Sequence, residues 1–126
     1  MKPYAAAALY VADLSECRML AGRAPEDVVA GFRAALQRAG ATVVREICHA
    51  FPETGLTCVL ILSESHAILH TWPEKGTVNI DIFSCSTRLK SLEAIDELRD
   101  SFGAQHVSLQ EIPRVDGRRP PSDGRD

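Results

Sequence analysis

The sequence predicts an α+β fold, a two-layer sandwich in which two helices cover one face of a mostly antiparallel sheet. The elements follow one another in the order β-α-β-β-β-β-α-β, with short breaks such as PETG (52–55) and PEKG (73–76) between strands. Two helical stripes and several apolar runs support this order. Two helices on one face of a sheet form an economical packing, because each layer then buries the apolar side of the other.

Two stretches carry the apolar spacing of helices. Pro25 and two acidic residues open the first, which Gly40 ends, and its apolar stripe is Val28, Phe32, Ala35, Leu36 and Ala39. Gly103 ends the second, whose stripe is Leu89, Leu92, Ile95, Leu98 and Phe102. A glycine directly after the last apolar position is the usual residue at a helix C-terminus.

Six stretches have the composition of strands: 6–13, 41–51, 57–62, 66–72, 77–85 and 106–113. The run TCVLIL at 57–62 is almost continuously apolar, which is typical of a central strand, whereas HAILHTW at 66–72 alternates. These elements predict one domain over residues 1–113. The remaining RVDGRRPPSDGRD (114–126) is almost free of apolar side chains and is predicted to be a disordered tail.

Composition excludes several classes of protein. A chain of 126 residues suits one domain, and 45% hydrophobic with 25% charged residues is typical of a soluble globular protein. The net charge of −3 without a long basic stretch argues against nucleic acid as a partner, and the absence of a long apolar run argues against a membrane span. Because the four cysteines form no CxxC pair, we expect reduced thiols in a cytoplasmic protein, with Cys17, Cys48 and Cys58 as core thiols.

Strand alternation indicates which side chains share a face of the sheet. Pairing the strands on either side of PEKG is expected to bring His70 and Cys85 into one neighbourhood. Ser65 has the wrong parity to share a face with His70 in a continuous strand, and a bend or chain break near Ser65 would remove that conflict. Two faces result: one carries His66, Ile68, His70 and Trp72, then Asp81, Phe83 and Cys85, and the other carries Ala67, Leu69, Val78, Ile80 and Ile82.

The segment SESHxxxHTWPE followed by DxFxC resembles the bacterial-type S-adenosylmethionine decarboxylase proenzyme, a pyruvoyl-dependent family. Two positions depart from the family pattern: Ser84 replaces the usual threonine and Ser86 replaces the usual glycine. The resemblance extends more weakly over residues 5–113. The matching residues are Ser63, Glu64, Ser65, His66, His70, Thr71, Trp72, Pro73, Glu74, Asp81, Phe83 and Cys85.

The resemblance implies that the chain cleaves itself between Glu64 and Ser65 into fragments 1–64 and 65–126. A serine hydroxyl can attack the preceding carbonyl and convert the amide to an ester. Elimination and loss of ammonia then leave a pyruvoyl group at the new N-terminus. Its carbonyl forms a Schiff base with the substrate and accepts electrons as carbon dioxide leaves. The implied product is the aminopropyl donor for spermidine synthesis.

Roles for individual side chains follow from the same resemblance. His70 is the implied base in the elimination step, since an imidazole can take a proton near neutral pH. Cys85 is the implied acid that returns a proton to the substrate carbon, and Thr57 supplies a hydroxyl that supports processing. Without the motif, Cys85 would be a small buried apolar residue and Thr57 an ordinary strand residue.

Three further residues are implied to bind the substrate. Phe51 and Trp72 would hold the adenine by stacking, and Glu74 would accept hydrogen bonds from the ribose hydroxyls. Ordinary alternatives are two core aromatics and a solvated turn carboxylate. A sheet covered on one face only also predicts a homodimer of processed protomers with active sites at or near the interface, and the resemblance implies the same.

Other functions remain open at this point. A pyruvoyl decarboxylase of the same fold could act on arginine or ornithine, although Phe51, Trp72 and Glu74 suit a nucleoside. A non-catalytic regulatory paralogue is a third reading, but such a protein is expected to lose Ser65, His70 or Cys85, and this chain keeps all three. A zinc site built from His66, His70, Asp81 and Cys85 is disfavoured because two histidines four residues apart on a strand lack the usual ligand grouping. We therefore expect no metal.

Overall fold

The computed structural model describes residues 7–63, 65–85 and 89–115, and there the chain forms six strands and two helices. In chain order they are β1 (Ala7–Cys17), α1 (Pro25–Arg38), β2 (Val43–Ala50), β3 (Leu56–Leu62), β4 (His66–Trp72), a 3-10 turn (Pro73–Lys75), β5 (Thr77–Ser84), α2 (Ser91–Phe102) and β6 (Ala104–Arg114). The predicted α+β fold with two helices is confirmed.

All six strands belong to one antiparallel sheet, in the order β2-β3-β4-β5-β1-β6. Strands β2 to β5 are neighbours both in sequence and in the sheet. Strand β1 lies between β5 and β6, so the first and last strands of the chain lie together on the β5 side of the sheet. This order places β4, β5 and β1 side by side, and these strands carry most of the side chains discussed below.

The core lies between the two helices and one face of the sheet. Its centre is made of aliphatic side chains at alternate strand positions, into which Phe32 of α1 and Phe102 of α2 pack, each at most 1% exposed. Burying one such side chain stabilises the fold by about 1.5–3 kcal/mol. The main sheet contributions come from Leu14, Leu60, Leu69, Val78, Ile80 and Ile82.

The opposite side of the sheet, here called the open face, carries the side chains of the other parity. These residues are half-buried or exposed, so the open face remains available for ligands and partners. The predicted division of β4 and β5 between two faces is confirmed. The open face includes Leu9, Val11 and Asp13 of β1, Thr57, Val59 and Ile61 of β3, His66, Ile68, His70 and Trp72 of β4, and Asn79, Asp81 and Phe83 of β5.

Two details of the predicted core are wrong. Leu92 is 49% exposed, because it lies about 100° around α2 from the buried side that Ser91, Ala94 and Leu98 share. Cys48 was expected to be a core thiol and is exposed, because β2 is an edge strand of the sheet. Its partner across the ladder, Cys58, is fully buried, as predicted.

The last strand ends one residue later than predicted. Strand β6 continues to Arg114, which pairs with Ala7 of β1. The predicted tail otherwise lies almost wholly outside the described residues, which stop at Val115. Its disorder stays a prediction.

Candidate active site

One end of the open face, here called the aromatic end, consists of Phe51, Thr57, His70 and Trp72. His70 and Thr57 are direct partners in the β3–β4 ladder, and the Thr57 Oγ1 lies 2.5 Å from the His70 Nδ1. The centroid of the imidazole is 4.5 Å from that of the Trp72 ring and 5.9 Å from that of the Phe51 ring. The histidine is therefore held by a hydroxyl and placed beside two aromatic rings.

The hydrogen bond between Thr57 and His70 bears on the chemistry available to the imidazole. In the tautomer whose Nδ1–H donates to the hydroxyl, the Nε2 lone pair stays free to accept a proton. That is the state a general base requires. The predicted supporting residue and the predicted base are thus brought together by the register of two neighbouring strands.

The local fold explains why this end is well defined. Thr71, between His70 and Trp72, points into the core, where its hydroxyl accepts a hydrogen bond of 3.1 Å from the backbone N–H of Leu56. Gly55 has a φ of 89°, and a Cβ there would lie 2.7 Å from the Thr71 carbonyl oxygen. The PETG turn can approach β4 this closely because its last residue is glycine. The same turn places Phe51 beside His70.

Glu74 lies in the 3-10 turn that follows β4, close in sequence to Trp72, and is exposed. The ammonium group of Lys75, in the same turn, lies 5.5 Å from the centroid of the Trp72 ring. The structure therefore places the predicted ribose-binding carboxylate at the same end of the sheet as the predicted stacking residues.

The indole of Trp72 makes a hydrogen bond that sequence reasoning missed. Its Nε1–H donates to the Asn79 Oδ1 at 2.7 Å, and the Asn79 Nδ2 donates to the Asp13 Oδ1 at 2.8 Å. Asn79 is the only asparagine in the chain and occupies an open-face position in a β-branched strand. Asparagine is uncommon within strands, so its presence at this position is the feature of the sequence that could have indicated the hydrogen bond.

The other end of the open face, here called the hairpin end, consists of Ser63, Ser65 and Cys85. Strand β4 begins at His66, so Ser65 lies outside it in the turn from β3, and its carbonyl accepts a 2.9 Å hydrogen bond from the N–H of Leu62. Cys85 directly follows β5 and is half-buried. Glu64, the other residue of the predicted cleavage site, and Ser86 lie outside the described residues.

The register places Ser65 and Cys85 together at this end. His66 pairs with Phe83, so the positions of Ser65 and Cys85 both lie just beyond the last pairs of the β4–β5 ladder. Because Ser65 precedes β4, its side chain does not have to follow the alternation of side chains along that strand. The predicted parity conflict between Ser65 and His70 therefore does not arise within a continuous strand.

The two ends are far apart within one protomer. Ser65 and His70 are five residues apart along an extended strand, which corresponds to about 16 Å. His70 pairs with Asn79, six residues from Cys85, which corresponds to about 20 Å. The expectation that the PEKG turn brings His70 and Cys85 into one neighbourhood is wrong for a single protomer, because this turn pairs His70 with the start of β5.

Asp81 lies between the two ends, at the middle of β5. Partial burial raises the pKa of its carboxyl group, and the negative charge of Asp13 raises it further, while His66 acts in the opposite direction. The ring of His66 lies 5.5 Å from that of Phe83. Asp81 pairs with Ile68 and His66 pairs with Phe83, so both motif residues lie outside the aromatic end.

A cleft of about 290 Å³ adjoins the aromatic end on the side of the helices. Phe51, Gly55 and Pro73 line it together with Val28 of α1, but His70 and Trp72 do not. Of the four residues of the aromatic end, this cleft therefore reaches only Phe51. In the described parts of the chain, no three side chains of histidine, cysteine, aspartate or glutamate are grouped to hold a metal ion. No helix found there is long and apolar enough to cross a membrane.

Comparison of the sequence with known proteins identifies the family. Residues 8–115 match the family model described as S-adenosylmethionine decarboxylase. Relatives named S-adenosylmethionine decarboxylase proenzyme come from Acidithiobacillus ferrooxidans, 38% identical over 80 residues, and Prochlorococcus marinus, 39% identical over 80 residues. These matches cover 64% of the chain, and they span 60% and 64% of the two relatives.

A solved structure shares the fold. The adenosylmethionine decarboxylase from Aquifex aeolicus superimposes with a TM-score of 0.75 at 24% sequence identity, over 86% of this chain and 90% of that one. At this identity the likeness concerns the fold, whereas the family model extends over most of the sequence. The chain belongs to the S-adenosylmethionine decarboxylase family.

Proposed function

We propose that the protein is a self-processing enzyme that decarboxylates S-adenosylmethionine with a pyruvoyl group formed from Ser65. The product would be the aminopropyl donor for spermidine synthesis. The observation that carries the proposal is the aromatic end, where Thr57 holds His70 beside Phe51 and Trp72. The names of the relatives support the substrate and the proenzyme character.

The position of Ser65 supports processing. It precedes β4 and lies in a turn, so strand pairing does not fix it on both sides. Its hydroxyl is the nucleophile that would convert the preceding amide to an ester. His70, through its Nε2, is the proposed base that takes the Cα proton in the elimination step. The pyruvoyl group would supply an electrophilic carbonyl that withdraws electrons as carbon dioxide leaves.

Cys85 is the proposed acid that returns a proton to the substrate carbon. It lies at the hairpin end with Ser65, where the reacting atoms would be. A thiol can serve as an acid without carrying a charge before it reacts. This placement separates its task from that of Phe51 and Trp72 at the other end of the sheet.

The aromatic end has the properties of a nucleoside site. Phe51 and Trp72 are 42% and 38% exposed, so a planar base can cover apolar ring surface that the protomer leaves in water. The carboxylate of Glu74 in the adjacent turn accepts hydrogen bonds only, which suits the two hydroxyls of a ribose. We therefore assign the adenine to Phe51 and Trp72 and the ribose to Glu74.

A homodimer would bring the two ends together. Suppose that two protomers pack with their open faces together and are related by a two-fold axis perpendicular to the strands. The aromatic end of one protomer then lies over the hairpin end of its partner. Exposed apolar side chains on this face, including Ile47 and Ile61, suit such an interface. Each active site would then use His70 of one protomer and Ser65 of the other.

Mass spectrometry of the purified protein under denaturing conditions, together with an assay of carbon dioxide release, tests the proposal. We expect a 64-residue chain and a 62-residue chain blocked by pyruvoyl, and turnover of S-adenosylmethionine far above that of arginine or ornithine. Ser65→Ala should remain intact under all conditions. A full-length chain with an unmodified Ser65 after long incubation refutes the processing, and a preference for arginine refutes the nucleoside site alone.

A further inference from the structure

Three neighbouring strands are joined on the open face by a chain of side-chain hydrogen bonds. It runs from the Trp72 indole N–H on β4 to the Asn79 amide on β5 and on to the Asp13 carboxylate on β1, with distances of 2.7 and 2.8 Å. Asn79 and Asp13 are direct partners in their ladder, whereas Asn79 and Trp72 are diagonal neighbours. We call these three residues the indole relay.

The chemistry of the two outer groups fixes the orientation of the amide between them. An indole nitrogen can only donate a hydrogen bond, and an ionised carboxylate can only accept one. Asn79 satisfies both only when its oxygen faces Trp72 and its nitrogen faces Asp13. An amide accepts at its oxygen and donates at its nitrogen in one fixed plane, so a single side chain meets both requirements. Asp13 thus determines how Asn79 presents its acceptor.

The relay restrains the indole in a way that ring packing alone does not. Trp72 is more than a third exposed, and its ring is tilted by 49° against the His70 imidazole. The ammonium of Lys75 near the same ring is attached to a flexible side chain. A hydrogen bond at Nε1 adds a directional restraint at the ring edge, so both side-chain torsions of Trp72 are determined.

We propose that Asn79 and Asp13 are positioning residues that set the plane of Trp72 for stacking with the base of a nucleoside substrate. The inference rests on the proposed nucleoside site and adds two residues to it. Neither residue touches the reacting atoms, and both lie away from the hairpin end. The relay therefore affects binding of the nucleoside, while self-processing and the chemical step do not depend on it.

Trp72 is the only tryptophan in the chain, so one indole N–H resonance reports the relay directly. In protein labelled with nitrogen-15, that resonance should move upfield in Asn79→Leu, because the hydrogen bond is lost. It should move in the same direction in Asp13→Ala and stay near the wild-type position in Asp13→Asn, whose amide oxygen can still accept from Asn79. In protein that already carries Asn79→Leu, Asp13→Ala should not move the indole resonance further. An unmoved resonance in Asn79→Leu overturns the relay.

Kinetics test what the relay does. In Asn79→Leu the KM for S-adenosylmethionine should rise about two- to tenfold, the range expected for one hydrogen bond, with kcat and the rate of self-processing unchanged. Asp13→Ala should follow the same pattern and Asp13→Asn should restore the wild-type KM. A fall in kcat or in processing at unchanged KM overturns the positioning role, because the relay would then act on His70 instead.

A matched control removes a different amide. Gln37→Leu on the exposed surface of α1 should leave the resonance and the KM unchanged, and circular dichroism should show the same fold in all variants. The two proposals fail in different ways. If the wild-type protein does not decarboxylate S-adenosylmethionine, the proposed function fails, and the indole resonance still decides whether the relay exists.

Discussion

The two ends of the open face are built in different ways. At the aromatic end side chains hold one another: a hydroxyl fixes His70, and an amide and a carboxylate fix Trp72. At the hairpin end Ser65 lies outside the ladder and is held by a backbone hydrogen bond of its turn. A prebuilt surface suits recognition of a rigid nucleoside, whereas a residue outside the ladder suits a reaction that must break the chain.

The distance between the ends leads to the largest predicted effect. Ser65→Ala and His70→Ala should each fail to process when expressed alone. When they are expressed together, a mixed dimer has one site that combines an intact Ser65 from one chain with an intact His70 from the other. We expect the His70→Ala chain to be cleaved in that mixture, which mass spectrometry of differently tagged chains can measure. Absence of any cleavage shows that both residues act within one protomer.

A second prediction concerns the hairpin end. Cys85→Ala should lower kcat for S-adenosylmethionine about 10²- to 10⁴-fold, the usual range for loss of a general acid, with a smaller or equal effect on processing. His70→Ala should affect processing more than kcat, and it should accumulate an ester that hydroxylamine cleaves. Single-turnover kinetics and mass spectrometry separate the two effects. If Cys85→Ala decarboxylates at the normal rate, another group supplies the proton.

The sequence predicted the two layers and the two faces of the sheet because alternation and helical spacing are local properties. It placed Val78, Ile80 and Ile82 on one face of the sheet, and the structure buries all three. The separation of Ser65 from His70 was also present in the sequence, since five residues of extended chain have a known length. The parity of strand positions alone does not reveal this distance.

Other features depend on which strands become neighbours, and local patterns do not contain that information. The indole relay exists because β1 lies next to β5, although Asp13 and Asn79 are 66 positions apart. Cys48 is exposed because β2 forms an edge, and a strand of the same composition inside the sheet would have buried it. The faces of residues could be predicted, but their partners across long sequence distances could not.

A third prediction compares the ends through the substrate. Phe51→Leu or Trp72→Leu should lower kcat/KM for S-adenosylmethionine about three- to tenfold, because a stacked aromatic pair contributes about 0.5–1.5 kcal/mol beyond burial. Glu74→Gln should weaken binding of nucleosides only. All three variants should form pyruvoyl at the wild-type rate, as mass spectrometry of the blocked chain can show. Slower processing in Glu74→Gln would contradict the division of labour between the two ends.

The smallest predicted effect concerns Asp81, which lies between the ends. Burial and the charge of Asp13 raise the pKa of its carboxyl group in the folded protein. The folded state therefore holds this proton at pH values where the unfolded chain has released it, and stability falls as pH rises from the ordinary carboxyl range through the raised pKa. Asp81→Asn removes this loss, so the variant should be slightly more stable than its parent at neutral pH and should lose the advantage in acid.

Urea unfolding at several pH values can measure this difference, with protein concentration held constant because any dimer makes stability concentration-dependent. Both proteins should carry Ser65→Ala, so that each chain stays in one piece. Asp13→Asn should reduce the stability difference between Asp81→Asn and its parent, since it removes the second cause of the raised pKa of Asp81 while leaving the burial in place. A stability difference that stays constant with pH would show that Asp81 affects stability through packing and not through its charge.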